Sequence, residues 1–371
     1  MRIGFDARWY NDSGVGTYVA ELLNALVSLQ SHSSSPDFEL VVYENPKNPI
    51  PGLPENSVAR VPLSAGKYSL AGQMELKRRC EHDCLDVFHS PFYAMPVLVS
   101  CPLVVTFHDL IPFLFRTANP FKQFLIKSGY RVAAARSRQI IAVSSHTAED
   151  TKRILRVSAQ KITVIHNAVS GEEFHPRRNE TEAVHLAARH GIHAPYVVVA
   201  SAKNWRTKNL LGALRALSLV RQQSSLQFQT VVYGPRDGLL AIGGQDAWKE
   251  LNLVETGHLP AADLARLFRY AQVFVMPSLY EGFGLPLLEA MSCGCAVVSS
   301  NAGSLPEVAG TGAQLLDPFD AHGMAKAIAS LLYDPAGLAL WQERALRRAA
   351  EFSWIKTARE TVAVYHRAVG T

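Results

Sequence analysis

A pair of Rossmann-like α/β domains, each a doubly wound parallel sheet, is what this sequence predicts. Short β-rich runs alternate with longer amphipathic stretches, the pattern of parallel strands joined by crossover helices. The series starts afresh near the middle of the chain. The length, 371 residues of which 48% are hydrophobic, suits two domains with cores of their own.

In the first series, "RIGFDA" reads as a strand, followed by a helix near residues 17–29, the strand "FELVVYE" and a helix near 68–80. The strands "DVFHSP" and "LVVTFHD" come next, then a helix near 120–135, "QIIAVSS" with a helix from about 147, and "ITVIHNA". The second series runs "YVVVASA", a helix near 209–221, "FQTVVYG", "VETGHL", a helix at 261–270, "VFVMPS", a helix from about Pro286 and "AVVSSN", with helices from His322 onward. A polar, proline-containing stretch, residues 170–184, is the expected boundary. Domains at 1–178 and 179–354 follow.

Composition removes several function classes. The formal net charge of +5 divides into +3 over residues 1–180 and +2 over the rest, too even for a nucleic-acid binder. Five cysteines are an odd, sparse set that suits reduced thiols. Cys80 and Cys84 flank His82 without a second ligand pair at zinc spacing, so they read as thiols on one helix face. The N-terminus is polar within six residues and no apolar run reaches the roughly 18 residues of a membrane span. A cytoplasmic protein is expected.

Ligands of open α/β sheets sit at the carboxyl ends of strands, so chemistry is sought just after each one. Gly14 and Gly16, in "DARWYNDSGVGTYV", precede a helix whose start suits an anion or simply needs a turn. Eight residues separate the strand from Gly14 and no G-x-G-x-x-G follows, which fits a dinucleotide turn badly. His108 and Asp109 follow the strand "VVTF", either as turn residues or as ligands for a sugar hydroxyl or phosphate. Lys203, Arg206 and Lys208 cluster before an apolar helix, against the macrodipole unless an anion such as a diphosphate neutralises them. A solvated charge cluster is the alternative.

The stretch "SLYEGFGLPLLEAM" sets Glu281 in a glycine-rich loop and Glu289 on the helix that the loop feeds. Pro286 suits the first helical position. Gly282 and Gly284 let the backbone approach a ligand and leave amides near the helix start for phosphate or sugar oxygens. Two carboxylates around one small ligand match the hydroxyls of a hexose and of a ribose. A helix-start acid without a ligand would explain Glu289 but not Glu281 with its flanking glycines.

Together "EGFGLPLLE", its continuation "AMSCGCAVVSSNAGSLPEVAG", "KNWRTKN", "TFHDLIP" and "SGVG" resemble glycosyltransferase family 4, over essentially the whole chain. The resemblance implies the GT-B fold, in which two Rossmann-like domains face each other across a cleft and a final helix, here 355–371, packs back on the first. It also implies a retaining enzyme that uses a nucleotide-sugar. Glu281 would meet the sugar hydroxyls, Glu289 the ribose hydroxyls, and the backbone of Gly282, Phe283, Gly284 and Leu285 the sugar and phosphate. Gly14 and Gly16 would close on the diphosphate, and Lys208 would hold it. Its usual arginine partner is replaced by Lys203, with Arg206 the rival. His108 would contact the donor sugar or phosphate, Asp109 would face the acceptor, and the base would lie near Val254 and Glu255. Glu281, His108 and Lys208 form the expected catalytic set.

No Asp-x-Asp occurs in the sequence, and the cations and loop amides suffice to stabilise a departing diphosphate, so no metal or other cofactor is expected. GDP-mannose is favoured over a UDP-hexose as donor. Residues 110–148 carry six basic residues and no acid, interleaved with Phe113, Phe115, Phe121, Phe124 and Leu125. That mixture suits either a solvated basic helix or peripheral docking on an anionic membrane, where a lipid-linked oligosaccharide or other glycan would be the acceptor. Rival classes are a sugar-nucleotide epimerase or hydrolase on the same frame and a non-catalytic sugar-nucleotide binder.

Overall fold

The computed structural model describes residues 1–10, 12–32, 37–54, 58–202 and 205–370. It divides into two units, Met1–Ala168 with Ser353–Thr371, and Val169–Phe352.

The first unit is built on a parallel sheet whose described strands are β1 (Arg2–Asp6), β2 (Glu39–Glu44), β3 (Val58–Pro62), β4 (Val87–Ser90), β5 (Leu103–Phe107), β6 (Gln139–Ala142) and β7 (Ile162–Val164). Their order is β3-β2-β1-β4-β5-β6-β7, so the winding reverses between β1 and β4. The second unit repeats the plan with β8 (Tyr196–Ala200), β9 (Gln229–Tyr233), β10 (Leu253–Gly257), β11 (Val273–Met276), β12 (Ala296–Ser300) and β13 (Gln314–Leu316), in the order β10-β9-β8-β11-β12-β13. All the pairings are parallel.

Central strands such as "VVVA" and "LVVTF" are buried throughout, and apolar but for Thr106, because helices cover both sheet faces. In the second unit Val197, Val199, Val232, Val275 and Val298 pack under Leu214, Leu217 and Ile328 of the flanking helices. Each such side chain contributes about 1.5–3 kcal/mol of hydrophobic stabilisation. β3 and β13 have no counterpart in the sequence reading. They are edge strands of five and three residues with half-exposed side chains, too short and mixed to show a clear period.

The final helix, Trp354–Val369, belongs to the first unit. Trp354, Thr357, Ala358, Thr361, Val364, Tyr365 and Ala368 are buried, a stripe at helical spacing that packs on helix Ser13–Ser31 and on β4, β5 and β6. Tyr365 reaches furthest inward: its hydroxyl lies 2.6 Å from His89 Nδ1, while His89 Nε2 lies 2.8 Å from Thr106 Oγ1. Residues 170–184 include the start of helix Glu180–His190, which the second unit holds through the buried ion pair of Arg269 with Glu182. One local expectation fails. Cys80 is buried on helix Leu70–His82, but Cys84 lies past the helix end with φ +51° and is exposed, so the two thiols share no helix face.

Candidate active site

In the second unit, β11 delivers the chain into the loop 277–284, and helix Leu285–Ser292 follows at once. Gly284 is the N-cap at φ +97°, a conformation that costs glycine little. Pro286 sits at the second helical position rather than the first, where its missing N–H is still harmless. Glu281 is buried, and its Oε1 lies 2.6 Å from Lys208 Nζ. Lys208 ends the short helix Trp205–Lys208, which follows β8, and the Thr207 carbonyl accepts from Leu279 N at 2.7 Å. One end of the sheet thus brings a cation and a carboxylate from two separate motifs together.

A second loop fixes Glu281 from behind. Its carbonyl accepts from Ser304 Oγ at 3.0 Å and from Ser304 N at 3.3 Å. A Cβ on Gly303 would come within 2.8 Å of Glu281 N, so "NAGS" must carry glycine there to let the backbones approach. Neither Gly303 nor Ser304 is among the residues expected from the sequence; the signal there is the Gly-Ser pair separated from the end of β12 by two residues.

Glu289 is the fifth residue of its helix, past the first turn and without a capping role. Part of it meets solvent, yet desolvation pushes its carboxyl up to about 7; Lys208 opposes the rise and Glu173 adds to it. Lys208 therefore acts on both carboxylates. Phe283 is buried with its ring edge-on to Phe352 at 5.9 Å. Leu285 opens the helix; Pro286 has no N–H, and Leu287 N and Leu288 N already donate to the Gly284 carbonyl at 3.0 and 3.3 Å. Arg206 is exposed in its short helix, and Lys203 lies outside the described residues. Val254 and Glu255 lie within edge strand β10, where Arg236 Nε approaches Glu255 Oε1 to 3.8 Å.

In the first unit, Gly14 and Gly16 lie inside helix Ser13–Ser31 rather than ahead of it. Gly16 N is spent on the Asp12 carbonyl at 2.7 Å, and a Cβ there would meet the Tyr10 carbonyl at 2.0 Å. Nothing lies within 4 Å of a Cβ on Gly14. Gly16 is therefore required by the fold itself. His108 follows β5, with its ring edge-on to Tyr18 at 4.9 Å. Burial pushes its pKa down to about 4, against the hydrogen bond to Pro91, so the imidazole is neutral at pH 7. Its Nε2 lies 2.9 Å from the Pro91 carbonyl, which can only accept, so Nε2 carries the proton and Nδ1 is left as an acceptor. That ring can receive a hydroxyl hydrogen and is poorly suited to a phosphate. Asp109 Oδ1 accepts from Ile111 N at 2.8 Å and so starts the next helical turn.

The interleaved aromatic residues of 110–148 separate into two groups. Phe113 packs edge-on against Tyr130 at 5.7 Å, with Lys127 and Arg131 over its ring. Phe121, Phe124 and Leu125, on helix Pro120–Arg136, point outward and are 72%, 63% and 52% exposed. Among the described residues, no helix is long and apolar enough to cross a membrane.

The model of the family described as Glycosyltransferase Family 4 matches residues 13–173, and that described as Glycosyl transferases group 1 matches residues 194–334. The chain is 28% identical over 291 residues to O-antigen chain mannosyltransferase B of Escherichia coli, covering 75% of this chain and 74% of that protein. It is 30% identical to the MMP alpha-(1->4)-mannosyltransferase of Mycolicibacterium hassiacum, covering 72% of this chain and 66% of that protein. Against serotype-specific mannosyltransferase WbdA of Escherichia coli, 29% identical, the match covers 73% of this chain but only 34% of the relative. Among solved structures, sucrose-phosphate synthase from Thermosynechococcus elongatus superposes with TM-score 0.76 at 19% identity, covering 99% of this chain and 98% of that one. Anabaena HepE, solved in complex with UDP-glucose, gives 0.74 at 17% identity over 98% and 99%. These likenesses show the GT-B fold. With matching models over both units, the chain is a member of glycosyltransferase family 4 and a glycosyltransferase.

Proposed function

We propose that this glycosyltransferase moves a hexose, with mannose favoured, from a nucleoside-diphosphate sugar to a glycan or lipid-linked acceptor with retention of anomeric configuration. The observation that carries the reading is the Lys208–Glu281 pair at 2.6 Å, set in a glycine loop at a helix start with Glu289 eight residues on. Mannose is favoured because the three relatives described above are mannosyltransferases by name. GDP-mannose is accordingly the donor to test before UDP-hexoses.

Transfer breaks the bond between the anomeric carbon and the diphosphate oxygen, and the electron pair leaves with the diphosphate. Lys208, the helix start and a second cation from Lys203 or Arg206 offset that charge, so the chain needs no metal for the task. Glu281 binds sugar hydroxyls and Glu289 binds the ribose. Neutral His108 accepts a sugar hydroxyl through Nδ1, and Asp109 stands on the acceptor side. The acceptor oxygen attacks from the face the leaving group vacates, and its proton passes to the departing phosphate. Val254 and Glu255 flank the base.

Nucleoside diphosphate release in the presence of acceptor tests this. Glu281→Ala is expected to reduce it about 100-fold or more. Turnover of donor without acceptor would favour an epimerase or hydrolase, and unchanged release in Glu281→Ala would overturn the site. A thermal-shift screen of GDP, UDP and their sugars identifies the donor, since a tight ligand stabilises by mass action.

The outward face of helix Pro120–Arg136 favours peripheral docking on an anionic membrane. Phe121, Phe124 and Leu125 follow i, i+3, i+4 spacing with exposed Lys122 beside them. A lipid-linked acceptor follows from that surface.

A further inference from the structure

Tyr18, on helix Ser13–Ser31, is buried and joins two features of the first unit that the sequence keeps apart. Its hydroxyl lies 3.0 Å from Thr106 Oγ1, and its ring meets the His108 imidazole with centres 4.9 Å apart and planes at 82°. Thr106 precedes His108 by two residues, so one side chain from a helix touches both.

Thr106 is itself held. His89 Nε2 lies 2.8 Å from its Oγ1, and the Tyr365 hydroxyl of the final helix lies 2.6 Å from His89 Nδ1. All four of these polar side chains are buried, and hydrogen-bonded runs of that kind are rigid because each member would lose a partner by moving. The Trp354 ring adds a further contact to Tyr18 at 6.0 Å. The Tyr18 ring is therefore fixed from both its hydroxyl and its side.

His108 needs such a neighbour. The last torsion of a histidine side chain is broad and roughly two-fold, so rotamer preference does not set the plane of its ring. Among the described residues the side chain makes one hydrogen bond, from Nε2 to the Pro91 carbonyl at 2.9 Å, about which the ring can still turn. Turned over, the ring would put carbon Cδ2 where Nδ1 stands, and carbon accepts no hydroxyl hydrogen.

We propose that Tyr18 is a positioning residue for the transfer: its ring, anchored through Thr106 and His89 to Tyr365, fixes the plane of the His108 imidazole and keeps Nδ1 free for a hydroxyl of the donor sugar. The inference rests on the reading of His108 as a contact of that sugar.

Long-range proton–nitrogen correlation spectra of the full chain, labelled at the histidine ring nitrogens, test the positioning without a ligand, and His108→Ala assigns the signals. The ring is neutral at pH 7, so the wild type should show a single tautomer protonated at Nε2. Tyr18→Leu and Tyr18→Met remove the ring with apolar chains of different shape, so that a fold lost in one can survive in the other. In both, the His108 signals should broaden or move towards the average of the two tautomers. Tyr18→Phe restores the ring and should restore the wild-type spectrum. Titration with GDP-mannose against GDP, and with UDP-glucose against UDP, reads the sugar's share of affinity. Tyr18→Leu and His108→Ala should each weaken the sugar nucleotide about tenfold and leave the bare nucleotide unchanged. The double variant should be no weaker than His108→Ala. A wild-type His108 spectrum in Tyr18→Leu and Tyr18→Met, or an equal loss of affinity from Tyr18→Leu with and without His108, would overturn the proposal. A tautomer that changes in Tyr18→Leu while His108→Ala leaves sugar-nucleotide affinity intact would support the positioning and count against the donor reading of His108.

Discussion

Glu289 shows what a single residue contributes beyond its place in a motif. Its carboxyl, raised to about 7 by desolvation, binds a proton that the unfolded chain releases near its ordinary value of 4.5. Between those values the folded state holds more protons than the unfolded one, so stability falls as pH rises through the window and levels off above it. Glu289→Gln should abolish that slope and be more stable than the wild type at pH 8 by about 1–3 kcal/mol, read from melting at pH 5, 7 and 8. Nucleotide binding should run the other way. Ribose hydroxyls donate to the ionised carboxylate, so the thermal shift with GDP should grow from pH 6 to pH 8 in the wild type and stay level in Glu289→Gln; a level response in both would remove Glu289 from the nucleotide site. The spacing of the two glutamates was legible in the sequence. That one lysine serves both was not, because Lys208 comes from a segment 73 residues upstream of Glu281.

At the level of elements, the start of helix Ser13–Ser31 separates folding from ligand binding. Gly16→Ala drives a methyl into the Tyr10 carbonyl and should destabilise the first unit by about 1–3 kcal/mol in chemical denaturation. Gly14→Ala meets open space within a helix and should stabilise it by about 0.5–1 kcal/mol. If Gly14 also faces the diphosphate, the same substitution weakens donor binding while stability rises, and an unchanged donor shift would leave it with no ligand role. Helix Pro120–Arg136 makes a parallel case. Replacing Phe121 and Phe124 by Ser should leave the melting temperature within about 1 °C, because both rings are largely solvent-exposed. Sedimentation with phosphatidylglycerol vesicles should nevertheless be lost, and retained sedimentation would rule out this face as the docking surface. Composition marked the helix as basic and aromatic. Only packing separated Phe113, held against Tyr130, from the rings that face outward.

Across the whole molecule, the two units respond to acid differently. Burial pushes His89 down to about 3 and His108 down to about 4, both in the first unit. The unfolded chain protonates these rings near 6.5 and the folded unit does not, so their contribution is present above 6.5 and is lost as pH falls towards 4. Hydrogen-exchange protection in residues 1–168 and 353–371 should therefore drop between pH 7 and 5 by more than in the second unit, where the less buried His175 and His190 are also lowered. Equal loss in both units would contradict the assignment. The final helix shares in this network. Tyr365→Phe leaves His89 Nδ1 without its hydroxyl and should cost the first unit about 1–2 kcal/mol, with little effect on the second.

By itself the sequence determined the alternation of strands and helices, the two parallel sheets and the motifs that mark the family. These are written in local periodicity and in short spacings such as Glu281 to Glu289. Tertiary structure decided which side chains meet. Lys208 on Glu281, Ser304 behind it and Tyr365 on His89 are made when crossovers bring separate segments to the same sheet or sheet edge. It also decided protonation. Whether Glu289 and His108 carry charge depends on desolvation and on partners from other segments, quantities that exist only once the chain is folded.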